Sequence, residues 1–366
     1  MRPASRILAF LAPLAVLLAI VPAVRAAGPR SGAQVWSSAC AACHGYGGAG
    51  ADPAMAAAPL ELPDFTDCSF ASREPDGDWG VVIREGGPSR AFDAWMPAFG
   101  DALTDEEISA VLDHLHAFCG EDRWPRGDLN LPKALRTEKA FPEDELLLVS
   151  RVGTGDEAYV RNKLIFEKRF GARNQVEVVV PFAALEHAPG GGWTAGIGDL
   201  ALAYKRVLFA NLRSGTISAL TLEAALPTGD ADRGLGDGHA VLEPFWTLGQ
   251  ILPADSFVQA QLGAGLPTTW EDYEAFGRLA VGKTFTRGIA GRSWTPMVEV
   301  LGSSAFADLA PAWTFIPQIQ ISLPQRQHIL LDVGVGLPLE DGGIGQPEVL
   351  VYLLWDWFDG GLLEGW

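Results

Sequence analysis

Two cysteines and a histidine near the amino terminus follow the spacing Cys-x-x-Cys-His, as Cys40, Cys43 and His44. This spacing suits covalent attachment of haem: each thiol can add to one vinyl group of the porphyrin, and the adjacent imidazole is then held beneath the iron. A structural disulfide and a thioredoxin-like redox pair are the alternatives. The redox pair should open a helix after a strand in a βαβ pattern, which this sequence does not show. The motif therefore predicts one covalently attached haem c.

The iron position opposite His44 needs a soft or basic side chain, and a thioether there raises the reduction potential. Met96 is the candidate, because the Pro- and Gly-containing stretch 94–100 can form a loop that presents a side chain inward. Met96 as a core residue is the alternative, and Met55 and Met297 are weaker candidates for the ligand. With both ligands bound, the iron has no open site for substrate. We therefore predict an electron carrier and not an enzyme, with no catalytic residues.

Helices are expected to position these ligands. Thr104 and Glu107 form a capping box, after which apolar residues recur at helical spacing. These apolar residues are Ile108, Val111, Leu112, Leu115 and Phe118. A shorter helix around Trp36 leads into the attachment motif. The sequence thus predicts an all-α domain, with His114 and His116 on the outer surface of its last helix.

The order of these features resembles a small class I cytochrome c across residues 31–120. A helix bearing an aromatic residue, the Cys-x-x-Cys-His-Gly motif, a long loop, a Met-Pro-x-Phe element and a capped terminal helix follow one another as in that family. The resemblance implies that Cys40 and Cys43 bind haem covalently. It also implies that His44 and Met96 ligate the iron.

The first 26 residues carry the features of a secretory signal peptide: early arginines, an apolar run, and small residues before a cleavage site after Ala26. An uncleaved membrane anchor is the alternative, but the run is short and contains Pro13. Export leads to an oxidising compartment, in which Cys68 and Cys119 are a candidate disulfide. Two buried free thiols are the alternative for that pair.

The composition narrows the class of partner. The chain has 366 residues, enough for two domains, and a formal net charge of −18. Because no basic stripe is available to meet phosphate, nucleic acid is excluded as a partner. Acidic residues of the haem domain predict a periplasmic redox partner protein with a basic patch. These residues are Asp101, Asp105, Glu106, Glu107 and Asp113.

Beyond the haem domain, the spacing of apolar residues changes from helical to alternating. Val258, Ala260 and Leu262, for example, alternate with Gln259 and Gln261. About a dozen such segments of about ten residues follow, joined alternately by short turns and long loops, which is typical of an outer-membrane barrel. The alternative is a soluble β-sandwich whose apolar faces form a core.

The predicted architecture is therefore multi-domain: an all-α cytochrome c domain followed by an all-β antiparallel transmembrane barrel of about twelve strands. The predicted boundaries are a signal peptide at 1–26, the cytochrome c domain at 27–120, a linker at 121–144 and the barrel at 145–366. The linker assignment rests on its three prolines and many charges. An even number of strands puts both ends of the barrel, and with them the haem domain, on the periplasmic side of the outer membrane.

The Pro-Thr-Gly-Asp stretch at 227–230 and the Gly-Asp-Leu stretch at 198–200 resemble the outer-membrane barrels associated with the meta pathway of phenol degradation. The resemblance implies an outer-membrane channel for small apolar or aromatic compounds. Charged residues on the polar face of the strands would line its lumen. They are Arg161, Lys163, Glu167, Glu177, Asp199, Lys205, Glu223, Glu299 and Asp332. An open pore and a lumen plugged by protein both agree with this pattern.

Two functional hypotheses follow from these features. The first is a c-type cytochrome that carries electrons at the periplasmic face of the outer membrane, with outer-membrane lipid around its barrel anchor. The second is an outer-membrane channel for a small apolar solute, with a redox-active haem module. A third class, a wholly soluble haem protein, predicts extraction from membranes by high salt alone.

Overall fold

The computed structural model describes most of the chain. The described residues are 28–52, 62–155, 158–187, 191–269, 273–286, 292–306, 311–323, 326–340 and 342–356. The predicted signal peptide at 1–26 lies outside them. Within the described ranges, no helix combines the length and apolar character needed to cross a bilayer.

The amino-terminal part of the described chain is helical. Its elements are α1 (Gly32–Val35), a π-helical stretch (Trp36–Cys40), α2 (Ala41–His44), α3 (Cys68–Ala71), α4 (Asp76–Glu85), a 3₁₀ turn (Gly87–Arg90) and α5 (Asp105–His116). Helix α1 crosses α5 closely, because a Cβ atom on Gly32 would lie 1.9 Å from the carbonyl oxygen of Ala110. The small helical domain expected from the sequence is confirmed for these residues.

The predicted capping box begins α5. The Thr104 hydroxyl accepts a hydrogen bond from the Glu107 backbone N–H at 3.3 Å, and the Glu107 carboxylate accepts one from the Thr104 N–H at 3.2 Å. The apolar face that follows is buried and forms one core with α1 and α4. The buried members of this helical core are Val35, Trp36, Ala41, Phe65, Ile83, Leu103, Ile108, Val111, Leu112 and Leu115.

Twelve long antiparallel strands follow. They are β1 (Asp144–Gly153), β2 (Tyr159–Phe170), β3 (Asn174–Glu186), β5 (Ala201–Asn211), β6 (Thr216–Ala225), β7 (Val241–Leu252), β8 (Ser256–Pro267), β9 (Glu274–Lys283), β11 (Ser293–Ala305), β12 (Ala312–Ser322), β13 (Ile329–Glu340) and β15 (Glu348–Asp356). There are also three short strands, β4 (Trp193–Ile197), β10 (Phe285–Thr286) and β14 (Gly343–Ile344). They pair with β3, β11 and β13, respectively. Pairing of β1 with β15 and of β9 with β11 closes the ring, so the predicted twelve-strand barrel is confirmed.

The barrel is apolar outside and polar inside. Leu222 and Leu262 point outward and are 47% and 58% exposed, whereas their neighbours Thr221 and Gln261 point inward and are each 1% exposed. A β-sandwich would bury its apolar faces, so that soluble alternative does not describe this fold. An exterior of this kind needs hydrocarbon or detergent around it.

The charged residues predicted to face the lumen differ in position. Those buried inside the barrel, as predicted, are Glu167, Glu177, Lys205, Glu299 and Asp332. Arg161 and Lys163 lie on the inward side of β2 but are exposed toward the long loops, and Glu223 on β6 is half-buried. The prediction that Asp199 faces the lumen was wrong, because this residue lies before β5 and not on a strand. Its carboxylate accepts hydrogen bonds at 2.8 and 2.7 Å from backbone N–H groups of the loop 226–240 and so holds that loop in place.

The lumen is filled by the chain itself. After a 3₁₀ turn at Gly127–Leu129, residues 129–143, here called the plug, lie inside the barrel before β1 begins. The buried plug residues are Leu129, Leu131, Lys133, Ala134, Leu135, Thr137, Lys139, Ala140, Phe141, Pro142 and Glu143. The segment predicted as a linker thus also fills the barrel, and of the two hypotheses for the lumen the structure shows the plugged one.

The helical domain packs against the end of the barrel that carries the short turns. The Arg73 guanidinium lies 2.9 Å from the Asp144 carboxylate at the start of β1. The His328 ring, just before β13, lies 3.4 Å from the Glu74 carboxylate. These contacts hold the domain at one mouth of the barrel.

We expect Leu222→Arg to destabilise the barrel, because Leu222 lies near the middle of β6 on the apolar exterior. An arginine near the bilayer midplane costs a barrel about 2–4 kcal/mol. The measurement is the free energy of unfolding in phospholipid vesicles, titrated with guanidinium chloride. Leu222→Phe is the matched control and should stay within about 1 kcal/mol of wild type. An equal loss in both variants would contradict a hydrocarbon-facing position.

Candidate haem site

The attachment motif is presented by a short helical run that ends in a tight turn. Ser31 and Gln34 form a capping box at its start. At its end Gly45 has a φ of +72°, and a Cβ atom there would lie 2.5 Å from the carbonyl oxygen of Gly50. The Gly50 N–H donates to the His44 carbonyl oxygen at 3.0 Å. The chain therefore turns back directly after the motif and fixes the backbone of His44.

The two cysteines of the motif are free thiols. Cys40 ends the π-helical stretch, Cys43 lies in α2, and both are partly buried. The disulfide considered above is therefore not formed between them. Burial, with Cys43 nearby, raises the pKa of the Cys40 thiol to about 11, so that thiol is protonated at neutral pH. Two free thiols on one helical run remain available for addition to vinyl groups.

The His44 ring packs against aromatic side chains. Its centroid lies 5.2 Å from that of Phe65 and 6.0 Å from that of Trp36. Burial lowers the pKa of the imidazole, so the ring is neutral at physiological pH. Its Nδ1 atom is buried and has no hydrogen-bond partner among the described residues. A neutral imidazole with an unsatisfied buried nitrogen fits a metal ligand.

Met96 is held by a tight loop after α4. The Gly87 N–H donates to the Met96 carbonyl oxygen at 2.9 Å, and a Cβ atom on Gly87 would lie 2.3 Å from the carbonyl oxygen of Asp93. The Met96 and Cys40 side chains both pack against the helical core. The structure therefore brings the predicted thioether and the attachment motif to the same core.

The donor set and its surroundings fit a haem. The Cys40 thiol and the Met96 thioether pack on one apolar core rich in aromatic rings, and the His44 imidazole, whose buried Nδ1 is unsatisfied, contacts two of those rings. Cys43 is a second free thiol directly before His44. These are the groups that attach and ligate a c-type haem. Of the weaker thioether candidates, Met297 is buried inside the barrel, and Met55 lies outside the described residues.

The prediction that His116 lies on the outer surface was wrong. Its Nε2 atom lies 2.6 Å from the Asp76 carboxylate, and its ring stacks on Trp79 at a centroid distance of 5.5 Å. Arg126 also lies 2.7 Å from Asp76, and His114 is half-buried. These contacts join α4 to α5. Local spacing does not reveal them, because the partners lie on other elements.

Cys68 and Cys119 form a disulfide, which confirms the predicted pairing over two free thiols. The bond joins α3 to the segment after α5. Both joined segments contact Arg169 of the barrel: its Nη2 atom donates to the Ser72 hydroxyl at 3.5 Å, and its guanidinium lies over the Trp124 ring at 4.9 Å. The disulfide therefore braces the contact between the helical domain and the barrel.

The acidic surface is smaller than predicted. Glu107 is only 6% exposed, and the Arg30 Nε atom lies 2.8 Å from its carboxylate. It is therefore a structural residue that ties the chain before α1 to α5. The exposed members of the predicted acidic set are Asp101, Asp105, Glu106 and Asp113.

Comparison with known families agrees with this site. Residues 27–115 match the family described as cytochrome C oxidase, cbb3-type, subunit III. Residues 27–115 form a cytochrome c domain. The match spans the attachment motif, the Met96 loop and most of α5, so the cytochrome domain contains every predicted haem-binding residue. No curated protein matches the chain.

Solved structures similar to the barrel include outer-membrane proteins. An outer-membrane channel from Pseudomonas putida F1 aligns over 62% of this chain and 100% of its own length, with 13% identity and a TM-score of 0.45. The KdgM porin in complex with disordered oligogalacturonate covers 58% and 99%, with 11% identity and a TM-score of 0.40. The NanC porin covers 58% and 98%, with 7% identity and a TM-score of 0.40.

We expect the cytochrome domain to lose stability in acid through Glu107. Hydrogen bonds from Arg30 lower the pKa of the Glu107 carboxyl from 4.5 to about 2. A carboxyl whose pKa is lowered on folding contributes stability above pH 4.5, and that contribution is lost as the pH falls toward 2. Hydrogen exchange of the α5 backbone in the full-length protein, corrected for intrinsic rates, should accelerate over this window.

Glu107→Gln should reduce this pH dependence, because the glutamine does not titrate. Asp113→Asn, on the exposed face of the same helix, is the matched control and should keep the wild-type profile. An unchanged acid profile in Glu107→Gln would show that another group controls the loss.

Proposed function

We propose that the protein is a c-type cytochrome that transfers electrons at the periplasmic face of the outer membrane, where its barrel anchors it. One observation carries this proposal: the attachment motif and Met96 meet on one core, in a domain packed on the mouth of a barrel with an apolar exterior. A closed ring of strands with apolar side chains outside suits an outer-membrane lipid environment.

A haem bound at this site supplies a one-electron couple between ferrous and ferric iron. Cys40 and Cys43 would hold it covalently, and His44 and Met96 would bind the iron. The aromatic rings around Trp36 and Phe65 would exclude water from the site. The proposed role is therefore that of an electron carrier.

Periplasmic placement of the cytochrome domain is supported by the direction of the strands. Glu145, near the start of β1, pairs with Asp356 at the end of β15. Both ends of the barrel sheet therefore lie at the mouth with the short turns, which face the periplasm in outer-membrane barrels. The cytochrome domain packs on this same mouth.

The filled lumen favours an anchor over a channel. A barrel that passes small apolar or aromatic compounds needs a free path, whereas the plug occupies this lumen. The alternative function, a channel with a redox-active haem module, therefore requires that the plug leave the barrel.

The proposal includes a periplasmic redox partner with a basic surface, because Asp101, Glu106 and Asp113 are exposed on the cytochrome domain. Opposite charges accelerate encounter, and salt screens that attraction. The second-order rate of electron transfer to a small basic redox protein, measured by stopped-flow absorbance, should fall several-fold as salt rises from about 10 to about 200 mM. A rate that does not change with salt would contradict this surface.

The experiment that tests the proposal is a pyridine haemochrome spectrum of the full-length protein. Wild type should show one haem per chain that resists extraction by acidified acetone, because it is held by thioether bonds. The double variant Cys40→Ser/Cys43→Ser should lose all covalently bound haem, because it cannot form those bonds. The double variant Cys68→Ser/Cys119→Ser removes the other cysteine pair and should retain attached haem. Loss of haem in both, or in neither, would contradict the assignment.

The same preparations test the second ligand. Carbon monoxide should leave the spectrum of reduced wild type unchanged, because His44 and Met96 would both bind the iron and leave it no free position. Met96→Ala should respond to carbon monoxide, whereas Met297→Ala, which removes the same side chain inside the barrel, should not. A full response in wild type would contradict Met96 as a ligand.

A further inference from the structure

The plug is bound to the barrel wall through its own backbone. The N–H groups of residues 135–138 donate to side chains of three different strands. The acceptors are Gln318 on β12 at 2.9 Å, Glu299 on β11 at 2.7 to 3.2 Å and Gln261 on β8 at 3.1 Å. Backbone groups away from water need such partners, so wall and plug satisfy each other.

Glu299 lies at the centre of this contact. Its carboxylate is fully buried and accepts hydrogen bonds from the Thr137 N–H and hydroxyl, each at 2.7 Å, and from the Arg136 N–H at 3.1 Å. Gln318 Nε2 donates to it at 2.7 Å. Burying a carboxylate is costly, and the four donors around Glu299 offset that cost. Removal of the carboxylate would leave two plug N–H groups without acceptors.

The carbonyl groups of the plug are bound as well. The Tyr352 hydroxyl and Gln320 Nε2 donate to the Lys133 carbonyl oxygen at 2.7 and 3.1 Å. Gln259 Nε2 donates to the Pro132 carbonyl oxygen at 2.7 Å. The wall therefore meets both the donors and the acceptors of the plug backbone.

Apolar side chains of the plug pack on the wall between these polar contacts. They belong to three separate buried clusters that also contain wall residues. The plug members of these clusters are Leu129, Leu131, Ala134, Leu135, Ala140 and Phe141. Close packing at three places around the lumen excludes water from the contact between plug and wall.

The plug is also joined firmly to the cytochrome domain. A Cβ atom on Gly127, at the entrance to the plug, would lie 2.1 Å from the Arg73 carbonyl oxygen. The Asp128 carboxylate accepts a hydrogen bond from the Asp76 N–H at 3.0 Å. The segment that leads into the plug is therefore packed against the cytochrome domain at the mouth of the barrel.

We propose that the plug is a permanent seal, which keeps the barrel closed to ions and small solutes, and that Glu299 is the positioning residue that holds it. The lumen of an eight-stranded barrel can be filled by its own inward-facing side chains. Twelve strands enclose more space, so this barrel needs a plug to be closed. The seal goes beyond the proposed electron transfer and depends on the barrel and plug alone. A protein found to lack haem would therefore not contradict the proposed seal.

The test is the conductance of the full-length protein in planar lipid bilayers bathed in potassium chloride. Wild type should give no channel steps. A variant in which a flexible Gly/Ser linker replaces residues 131–142 should conduct steadily. Glu299→Ala should open briefly, on the order of tenfold more often than wild type, because the plug loses two backbone hydrogen bonds. Glu299→Gln keeps one acceptor oxygen and should open less often than Glu299→Ala.

The matched control is Glu243→Ala. Glu243 is a half-buried carboxylate on the lumen side of β7, and within the described ranges it forms no hydrogen bond with the plug. It should remain as silent as wild type. Faster migration of unheated protein on gels shows that each barrel is folded. Steady steps from wild type, or a silent but folded linker variant, would overturn the seal. Equal behaviour of Glu299→Ala and Glu243→Ala would overturn the role of Glu299.

Discussion

Hydrogen bonds between the polar wall of the barrel and the backbone of the plug are the constraint on which the structure depends. Apolar residues face outward on alternate positions, so polar residues must face inward. Glutamines and carboxylates buried in the wall are costly unless they find hydrogen-bond partners. The plug brings N–H and carbonyl groups with the same need, and the contacts of Glu299 and Tyr352 with the plug satisfy both. The apolar exterior forces polar groups into the lumen, and those polar groups bind the plug that seals it.

The same constraint determines where the cytochrome domain lies. Only residues 121–128 separate the domain from the plug, and β1 follows the plug directly, so the domain must remain near the mouth through which the plug enters. Arg73 and Arg169 add an ion pair and a cation–π contact at that mouth. A haem held by Cys40, Cys43 and Met96 would therefore be presented from a fixed position beside the membrane and not on a flexible tether.

Features set by short-range spacing could be predicted from the sequence. The attachment motif spans five residues, the capping box of Thr104 four, and alternation along a strand is visible within ten. A plugged lumen was one of two predictions, but its assignment to residues 129–143 could not be predicted, because the charges and prolines of that segment are typical of an exposed linker. Its partners are remote: Leu135 and Gln318 are 183 residues apart. Glu107 shows the same limit: its capping box with Thr104 is local and was predicted, whereas its ion pair with Arg30, 77 residues away, was not.

The most direct measurement is electrophoresis of the outer-membrane fraction with and without heating, stained for covalently bound haem. We predict one haem-stained band that migrates faster before heating than after, because a folded barrel and an attached haem belong to the same chain. An unstained band, or haem-stained protein recovered in buffer without detergent, would contradict a cytochrome anchored by its own barrel.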